Sequence, residues 1–303
     1  MTQLFELFAT NLLPILVVAG IGFCLQRLLQ IDPKPLSRVA FYACLPALVF
    51  QLLVNSRIPP GDLLRLMGLA AILILLMALL SGAAARGLRL PPGLAAGFVL
   101  SATFMNAGNY GLSLTKFAYG EMGLALASVF FVASSMLSNS LGVYIAAVGR
   151  TSYVRALIGL FRVPALYAIA LAVSLRAAHA SLPFAVARPI ELLAQAAVPI
   201  MLLLLGMQMS AAGTPKRPGL LALAVGLRLV VSPLVAWFLA PAVGLAGLAS
   251  QVGILEAATP TAVTNAIIAL EFDAEPSFVT SAVLFSTLLS PLTITPLLAL
   301  LAR

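Results

Sequence analysis

A short polar stretch, Asn106-Ala-Gly-Asn-Tyr-Gly-Leu-Ser-Leu-Thr-Lys116, interrupts a long apolar run in this chain. Its two asparagines, Asn106 and Asn109, carry amide groups that both donate and accept hydrogen bonds. Its two glycines, Gly108 and Gly111, each weaken a helix by about 1 kcal/mol relative to alanine. In hydrocarbon, an interrupted helix survives only where protein or a wet cavity surrounds it. The stretch therefore predicts a helix break that presents polar groups inside the protein.

A second polar stretch, LEAATPTAVTNA, lies in a later apolar run. Pro260 lacks an N–H group, and its ring clashes with the carbonyl four residues before it, so it breaks a helix. Glu256 and Thr259 precede this proline, and Thr261 and Asn265 follow it. Interrupted helices in corresponding places of two halves are the best sequence sign of a transporter's binding site. We therefore expect the two breaks to face each other.

The composition places both stretches in a membrane protein. Of the 303 residues, 62% are hydrophobic and 9% are charged, and the mean hydropathy is +1.12. Soluble domains carry about 25% charged residues, whereas a spanning helix needs about 20 mainly apolar residues in a row. The formal net charge is +8, but the basic residues are scattered between apolar runs, which argues against nucleic acid as a partner. We predict an all-α polytopic membrane protein whose partner is the lipid bilayer.

Proline, glycine and charged residues divide the chain into ten predicted transmembrane helices. They lie near 4–27, 36–55, 62–86, 93–119, 122–148, 154–177, 187–211, 219–241, 245–270 and 276–301. Three segment pairs match in order at an offset of about 150 residues, around Pro14 and Pro164, Pro46 and Pro199, and Gly120 and Ala274. Because five is an odd number, the second set of five helices enters from the opposite side. We predict two inverted five-helix repeats, 1–150 and 151–303, with helices 4 and 9 broken and crossing at mid-membrane.

The placement of Lys and Arg in the predicted loops gives an orientation. The first, third, fifth and seventh loops hold Arg27, Lys34, Arg38, Arg86, Arg89, Arg150, Arg155, Arg162, Lys216 and Arg217. The second and sixth loops hold Arg57, Arg65, Arg176 and Arg188. Cytoplasmic loops are the ones rich in Lys and Arg, so both termini are predicted to lie outside the cytoplasm.

Two ionisable residues lie deep in predicted helices. Arg228 is near the middle of helix 8, where an intramembrane Arg is a candidate functional residue. Alternatively, it pairs with Glu256 or caps freed backbone carbonyls. Glu256 lies just before the break in helix 9 and is a candidate proton or cation site together with Thr259. Alternatively, Glu256 lies at a wet helix end or is the partner of Arg228.

Several motifs resemble those of the auxin efflux carrier family, whose bacterial members are often described as malate or malonate permeases. They are NAGNYGL in helix 4, LPALVF in helix 2, VPIMLLLLG in helix 7, RLVVSPL in helix 8, and ATPTAVTNAIIAL…SAVLFSTLLSPLT in helices 9 and 10. The resemblance implies a scaffold part and a transport part that move against each other, a small carboxylate as substrate, a homodimer, and a bacterial-type inner (plasma) membrane. Such relatives usually have proline soon after the Asn-Gly cluster, whereas this chain has Gly-Leu-Ser at 111–113. The break is therefore expected to rest on Gly108 and Gly111.

An anion fits the two predicted breaks. Where a helix resumes after a break, its first N–H groups have no partner and its dipole end is positive. Two such ends favour an anion without any cationic side chain. The predicted substrate-binding residues are Asn106, Gly108, Asn109, Tyr110, Gly111, Pro260, Thr261, Asn265 and Arg228.

The resulting functional prediction is a secondary active transporter that moves a small organic anion by alternating access, elevator-like. No metal, cofactor or enzymatic activity is predicted, because the single histidine, His179, and the few embedded carboxylates do not form a catalytic constellation. A sodium-coupled symporter of the bile-acid type, with Glu256 in a cation site, is the alternative. Ten-helix drug and metabolite transporters fit the composition equally well but not the paired breaks, and a receptor would not need them.

Overall fold

The computed structural model describes residues 2–56, 58–147, 158, 161–180, 182–210 and 217–302. Within these ranges the chain is helical, and its only strand-like pairing is one isolated bridge. Some predictions fall outside the described residues: the boundary between the halves at 150/151, the start of helix 6 at 154, the ends of helices 5 and 7 at 148 and 211, Arg57, Arg150, Arg155 and Lys216.

The helices are numbered here in chain order, with a and b for the two parts of a broken helix. They are α1 (Gln3–Leu29), α2 (Pro33–Val54), α3 (Pro60–Gly87), α4a (Pro92–Thr103), α4b (107–119), α5 (121–146), α6 (Pro164–Ala177), α7 (Phe184–Met209), α8 (Pro218–Ala242), α9a (Gly247–Ala257), α9b (Thr264–Glu271) and α10 (Pro276–Leu301). The α4b and α5 helices form one apolar run, Ala107–Ala146, that kinks at Gly120.

Seven helical runs in the described part of the chain are long and apolar enough to cross a membrane. Large apolar side chains are exposed on their outer faces, among them Leu64, Phe238 and Leu292. An apolar exterior of this extent is a membrane-facing surface rather than a water-facing one. The prediction of an all-α polytopic membrane protein is therefore confirmed. The number of ten spans and the inverted repeat stay predictions, because α4a, α6, α9a and α9b are shorter than a full span.

Proline determines where many of these helices begin and where some of them are irregular. A proline in the first turn costs little, because that N–H has no intrahelical partner in any case. Helices with proline in the first turn start at Pro33, Pro60, Pro92, Pro164, Pro218 and Pro276. Inside a helix, proline disrupts the bonding of the preceding turn, which can widen into a π-helical turn. Three such turns, Phe8–Leu12, Ala40–Cys44 and Leu227–Val231, come two residues before Pro14, Pro46 and Pro233.

The helices pack as two bundles. In the first bundle, α7 packs along α1 and α2, and α6 packs on α2. In the second bundle, α3, α8 and α10 pack around the two broken helices. The bundles meet where α7 contacts the start of α4b, where α2 contacts the α4b–α5 arm, and where α1 contacts α10. Both helix breaks thus belong to one bundle.

Two glycines let α1 and α7 of the first bundle approach closely. A Cβ atom at Gly206 would overlap the carbonyl of Ala19, and one at Gly22 would overlap the carbonyl of Leu203. Small residues at a helix contact are the usual way for membrane helices to pack backbone against backbone. The α1–α7 pair is therefore a tightly fitted unit.

Candidate functional site

The breaks in helices 4 and 9 lie directly against each other. The α4a helix ends at Thr103 and the chain resumes as α4b at residue 107, so the first break is 104–106. The second break is 258–263, between α9a and α9b. The Asn106 N–H donates to the Pro260 carbonyl at 2.7 Å, and the Ala262 N–H donates to the Phe104 carbonyl at 2.9 Å. This short antiparallel pairing satisfies backbone groups that the breaks remove from their helices.

The glycines of the first stretch are not where helix 4 breaks. The break precedes them, and 107–112 form a π-helical turn in which Gly108 and Gly111 are buried. A Cβ atom at Gly108 would lie 2.8 Å from the Phe131 ring, and one at Gly111 would overlap the Glu256 carboxylate. The expectation that the break rests on these two glycines is therefore wrong. Their place in the structure is close packing against a neighbouring side chain.

Polar side chains cap the C-terminal end of α4a. The Asn265 amide donates to the carbonyls of Leu100 and Phe104, at 3.0 and 3.2 Å. The Thr261 hydroxyl donates to the Ser101 carbonyl at 2.8 Å. Both side chains come from the other broken helix, and both are fully buried. The Leu100 carbonyl also accepts the Phe104 N–H at 3.2 Å, whereas the Ser101 and Phe104 carbonyls are satisfied from the other broken helix.

Arg228 links the ends of both broken helices. Its side chain is fully buried; Nη1 donates to the Thr103 carbonyl at 2.8 Å, and Nη2 donates to the Ala257 carbonyl and to Ser232. The two carbonyls lie at or near the negative C-terminal ends of α4a and α9a, which a cation stabilises. Of the alternatives for Arg228, the structure shows the capping of freed carbonyls. Within the described ranges it forms no ion pair with Glu256.

The N-terminal ends of α4b and α9b are not capped in this way. Neither helix start has a hydrogen bond from a capping side chain. The Asn106 side chain is 5% exposed, and its Nδ2 has no partner among the described groups. The Oδ1 atom of Asn265 also lacks one. In α9b, the N–H groups of Asn265 and Ala266 donate to the carbonyls of Ala262 and Val263, at 3.1 and 3.0 Å. The crossing therefore combines C-terminal ends that side chains cap with N-terminal ends that no described side chain caps, and with unused amide atoms.

Asn109 and Tyr110 point to different neighbours. The Asn109 amide is partly exposed and donates to Gln208 Oε1 of α7 at 3.4 Å, across the boundary between the bundles. The Tyr110 hydroxyl is buried and pairs with the Ser290 hydroxyl of α10 at 2.8 Å. Asn109 is thus placed where the bundles meet, whereas Tyr110 joins two helices of the second bundle.

Glu256 is fully buried at the end of α9a. The Thr115 hydroxyl of α4b donates to its Oε1 at 2.9 Å, and its Oε2 has no partner in the described part of the chain. The Thr259 hydroxyl donates to the backbone carbonyl of Glu256, not to its carboxyl group, at 2.7 Å. A carboxyl group in such a place requires a proton or a cation, because an unpaired buried charge is costly.

Sequence reasoning missed three partners of these residues: Thr115, Gln208 and Ser232. Ser232 follows Arg228 by four residues, so it is on the same helix face, and this spacing was a usable signal. Thr115 and Gln208 come from separate helices, and no local pattern connects them with Glu256 or Asn109.

Two cavities of the structure lie away from the crossing. One of about 390 Å³ lies between α2, α7 and the turn from α4b to α5. The other, of about 200 Å³, lies at the starts of α4a, α8 and α10, beside Arg217 and Glu275. Neither is lined by a residue of the two breaks.

Comparisons with known proteins agree with this architecture. An uncharacterized transporter of Methanothermobacter thermautotrophicus is 28% identical over 289 residues, which is 92% of this chain and 94% of that protein. The sequence profile of the family described as membrane transport protein matches residues 7–298, nearly the whole chain. The chain belongs to this membrane transport protein family, that of the auxin efflux carriers.

Proposed function

We propose that this membrane transporter is a secondary active carrier that moves a small organic anion by alternating access. The observation that carries the proposal is the asymmetry of the crossing. Its C-terminal helix ends are capped by Arg228, Asn265 and Thr261, while its N-terminal ends have no side-chain cap. The start of α4b, whose first turn no described side chain caps, is a positive dipole end of the kind that binds anions.

The substrate's carboxylate is held at the start of α4b. Asn106 Nδ2 is a buried donor without a partner in the described part of the chain, and a carboxylate oxygen is the acceptor that fits it. Asn109 adds a second amide on the same helix, facing the other bundle. The Nδ2 group of Asn265 donates to two backbone carbonyls. Its Oδ1 atom, which has no partner among the described groups, can accept from a substrate hydroxyl or N–H. In this proposal Arg228 positions the crossing and does not touch the substrate.

Alternating access comes from the two bundles moving against each other. Both breaks belong to the second bundle and are linked by backbone and side-chain hydrogen bonds, so they travel together. The first bundle keeps its form through the close α1–α7 contact at Gly22 and Gly206. This division supports an elevator-like movement, with the first bundle as scaffold.

Glu256 is the proposed coupling group, and it also supports the sodium-coupled alternative. Its carboxyl group is buried against α4b, with one oxygen unpaired. A bound proton or a sodium ion would each neutralise it. Uptake that requires sodium at constant pH would favour the sodium-coupled symporter, and uptake driven by a pH gradient without sodium would favour proton coupling.

Thermal unfolding of the purified protein tests the proposal. The ligands are small mono- and dicarboxylates, each with and without sodium and at two pH values. A ligand at 100 times its Kd stabilises the folded state by about 2.7 kcal/mol. We expect Asn106→Ala, which should weaken binding about 10- to 150-fold, to reduce the stabilisation to about 0.3–1.4 kcal/mol. Asn139 is an exposed asparagine on α5 that bonds only its own helix in the described contacts, and Asn139→Ala should retain the full shift. If no carboxylate stabilises the wild-type protein, or if Asn106→Ala keeps the full shift, the proposal is refuted.

A further inference from the structure

The larger cavity lies in the seam between the two bundles. It has a volume of about 390 Å³, within the range of about 300–1,000 Å³ that is typical of small-molecule sites. Its wall is apolar along Leu48 of α2 and Ala194 of α7. Polar side chains, Gln51 and Asn55 of α2 and Gln195 of α7, line the rest. We call it the seam cavity. Its mixed lining suits a molecule with an apolar body and a polar head.

Among the described residues, one ion pair lines the seam cavity. Lys116 lies in the last turn of α4b and Glu121 begins α5, and their Nζ and Oε1 atoms are 3.3 Å apart. Gly120 lies between the two helices with φ 66° and has open space around it. A left-handed residue here reverses the chain and sets the two side chains together, and glycine adopts that conformation without strain.

A carboxylate ligand can readily replace Glu121 as the partner of Lys116. The side chains of Lys116 and Glu121 are 40% and 67% exposed. A pair with this exposure contributes little to stability, because solvent screens it. A carboxylate that enters the cavity therefore competes with Glu121 for Lys116 at small cost.

The seam cavity and the proposed substrate site lie along one helix. Lys116 follows Asn109 by seven residues, which is about 10 Å along α4b. Asn109 contacts Gln208 of α7, and Gln195 of the same helix lines the cavity. Met201 lies between these two glutamines in the sequence and packs near Gly108. Passage from the cavity to Asn109 thus runs along the α4b–α7 boundary, where the bundles are proposed to move.

We infer that the seam cavity is an access subsite for the transported anion. The carboxylate replaces Glu121 on Lys116, and the apolar body of the substrate lies against Leu48 and Ala194. The inference rests on the proposed function and adds to it a second binding position for the anion, at Lys116 in the seam cavity. The orientation predicted from the Lys and Arg count places this end of α4b outside the cytoplasm.

Uptake into proteoliposomes tests the inference, with acetate, butyrate, hexanoate and succinate as probes. We expect Lys116→Gln to raise KM for hexanoate and butyrate about twofold to fivefold. Vmax should stay within about twofold, and KM should depend less on ionic strength. Glu121→Gln frees Lys116 and should lower KM about threefold. The controls are Arg65→Gln and Asp62→Asn, which remove an exposed ion pair outside the cavity and should leave KM unchanged.

The outcomes separate the inference from the proposed function. If wild-type protein takes up a probe and neither Lys116→Gln nor Glu121→Gln changes its KM, the access subsite is wrong and the carrier function stands. A KM change of the same size in the Arg65→Gln control also overturns the subsite, because the effect is then general surface charge. If wild-type protein takes up none of the probes, the proposed function fails, and the subsite fails with it. Glu121→Gln leaves Lys116 in place, so the test holds even where Lys116→Gln fails to fold.

Discussion

Removing Asn106 and removing Asn265 should have opposite effects on stability and the same effect on substrate binding. Both asparagines are buried at the crossing. The Asn106 Nδ2 group has no partner among the described residues, whereas the Asn265 Nδ2 group donates two hydrogen bonds to the end of α4a. One amide therefore has an unused donor, and the other maintains the break.

The magnitudes follow from these contacts. An unsatisfied buried donor costs about 1–3 kcal/mol, so Asn106→Ala should leave the free energy of unfolding unchanged or raise it by about 1 kcal/mol. Asn265→Ala removes two hydrogen bonds that are worth about 0.6–1.5 kcal/mol each in membrane and soluble proteins. It should therefore lower the free energy of unfolding by about 1–3 kcal/mol. A hydrogen bond to a charged group is worth about 1.5–3 kcal/mol, so Asn106→Ala should weaken carboxylate binding about 10- to 150-fold.

Two measurements on detergent-solubilised protein test the predicted effects of Asn106→Ala and Asn265→Ala. Thermal unfolding without ligand gives the stability of each variant relative to the wild type, and calorimetric titration with a carboxylate that stabilises the wild type gives Kd. The reasoning is refuted if Asn106→Ala destabilises the protein as much as Asn265→Ala does. It is also refuted if Asn106→Ala binds the carboxylate with wild-type affinity.

Three further predictions concern the contacts around this crossing and the scaffold. Gly206→Ala should lower the melting temperature, because its Cβ would overlap the α1 backbone and overpacking costs about 1–3 kcal/mol. Gly68 has open space around it, so Gly68→Ala should leave the melting temperature unchanged. Equal shifts in the two variants would contradict the close-packing argument. Arg228→Lys keeps the charge but not the guanidinium fork that reaches Thr103 and Ala257. Thermal unfolding should show a free energy of unfolding that is lower by about 1–3 kcal/mol. Wild-type stability in this variant would show that capping the ends of α4a and α9a is unimportant. Glu256→Gln should fold, because the glutamine keeps a side-chain oxygen that can accept from Thr115. Uptake by this variant should no longer depend on sodium or pH. An unchanged dependence would place the coupling group elsewhere.

The sequence was sufficient to predict that both breaks exist, but not where each break lies. Pro260 lies within the second break, as expected from its missing N–H and its ring. The first break falls at 104–106, before the glycines that predicted it. A buried glycine has the same sequence signature whether it interrupts a helix or admits a neighbour, because both depend on the missing Cβ. Phe131 lies beside Gly108, and Glu256 lies beside Gly111. Only these positions show that the two glycines admit neighbouring side chains and do not interrupt the helix.

The roles of the buried polar residues depended on contacts between distant segments. Arg228 had two competing interpretations, since the sequence does not specify which carbonyls lie near its guanidinium group. Thr103 is 125 residues away from it in the chain. Gln208 is 99 residues from Asn109, and Thr115 is 141 residues from Glu256. Local patterns report helix faces and breaks, whereas these pairs exist only once the two breaks are brought together.

Under the proposed function, the charges at the crossing predict that anion binding and cation binding are linked. Each helix end carries about half an elementary charge, negative at a C-terminus and positive at an N-terminus. Arg228 offsets the ends of α4a and α9a, and an anionic substrate would offset the starts of α4b and α9b. Ionised Glu256, against Gly111 in the first turns of α4b, is then left uncompensated and repels the substrate. A proton or sodium ion at Glu256 removes this repulsion, so each ligand must raise the affinity for the other by the same factor.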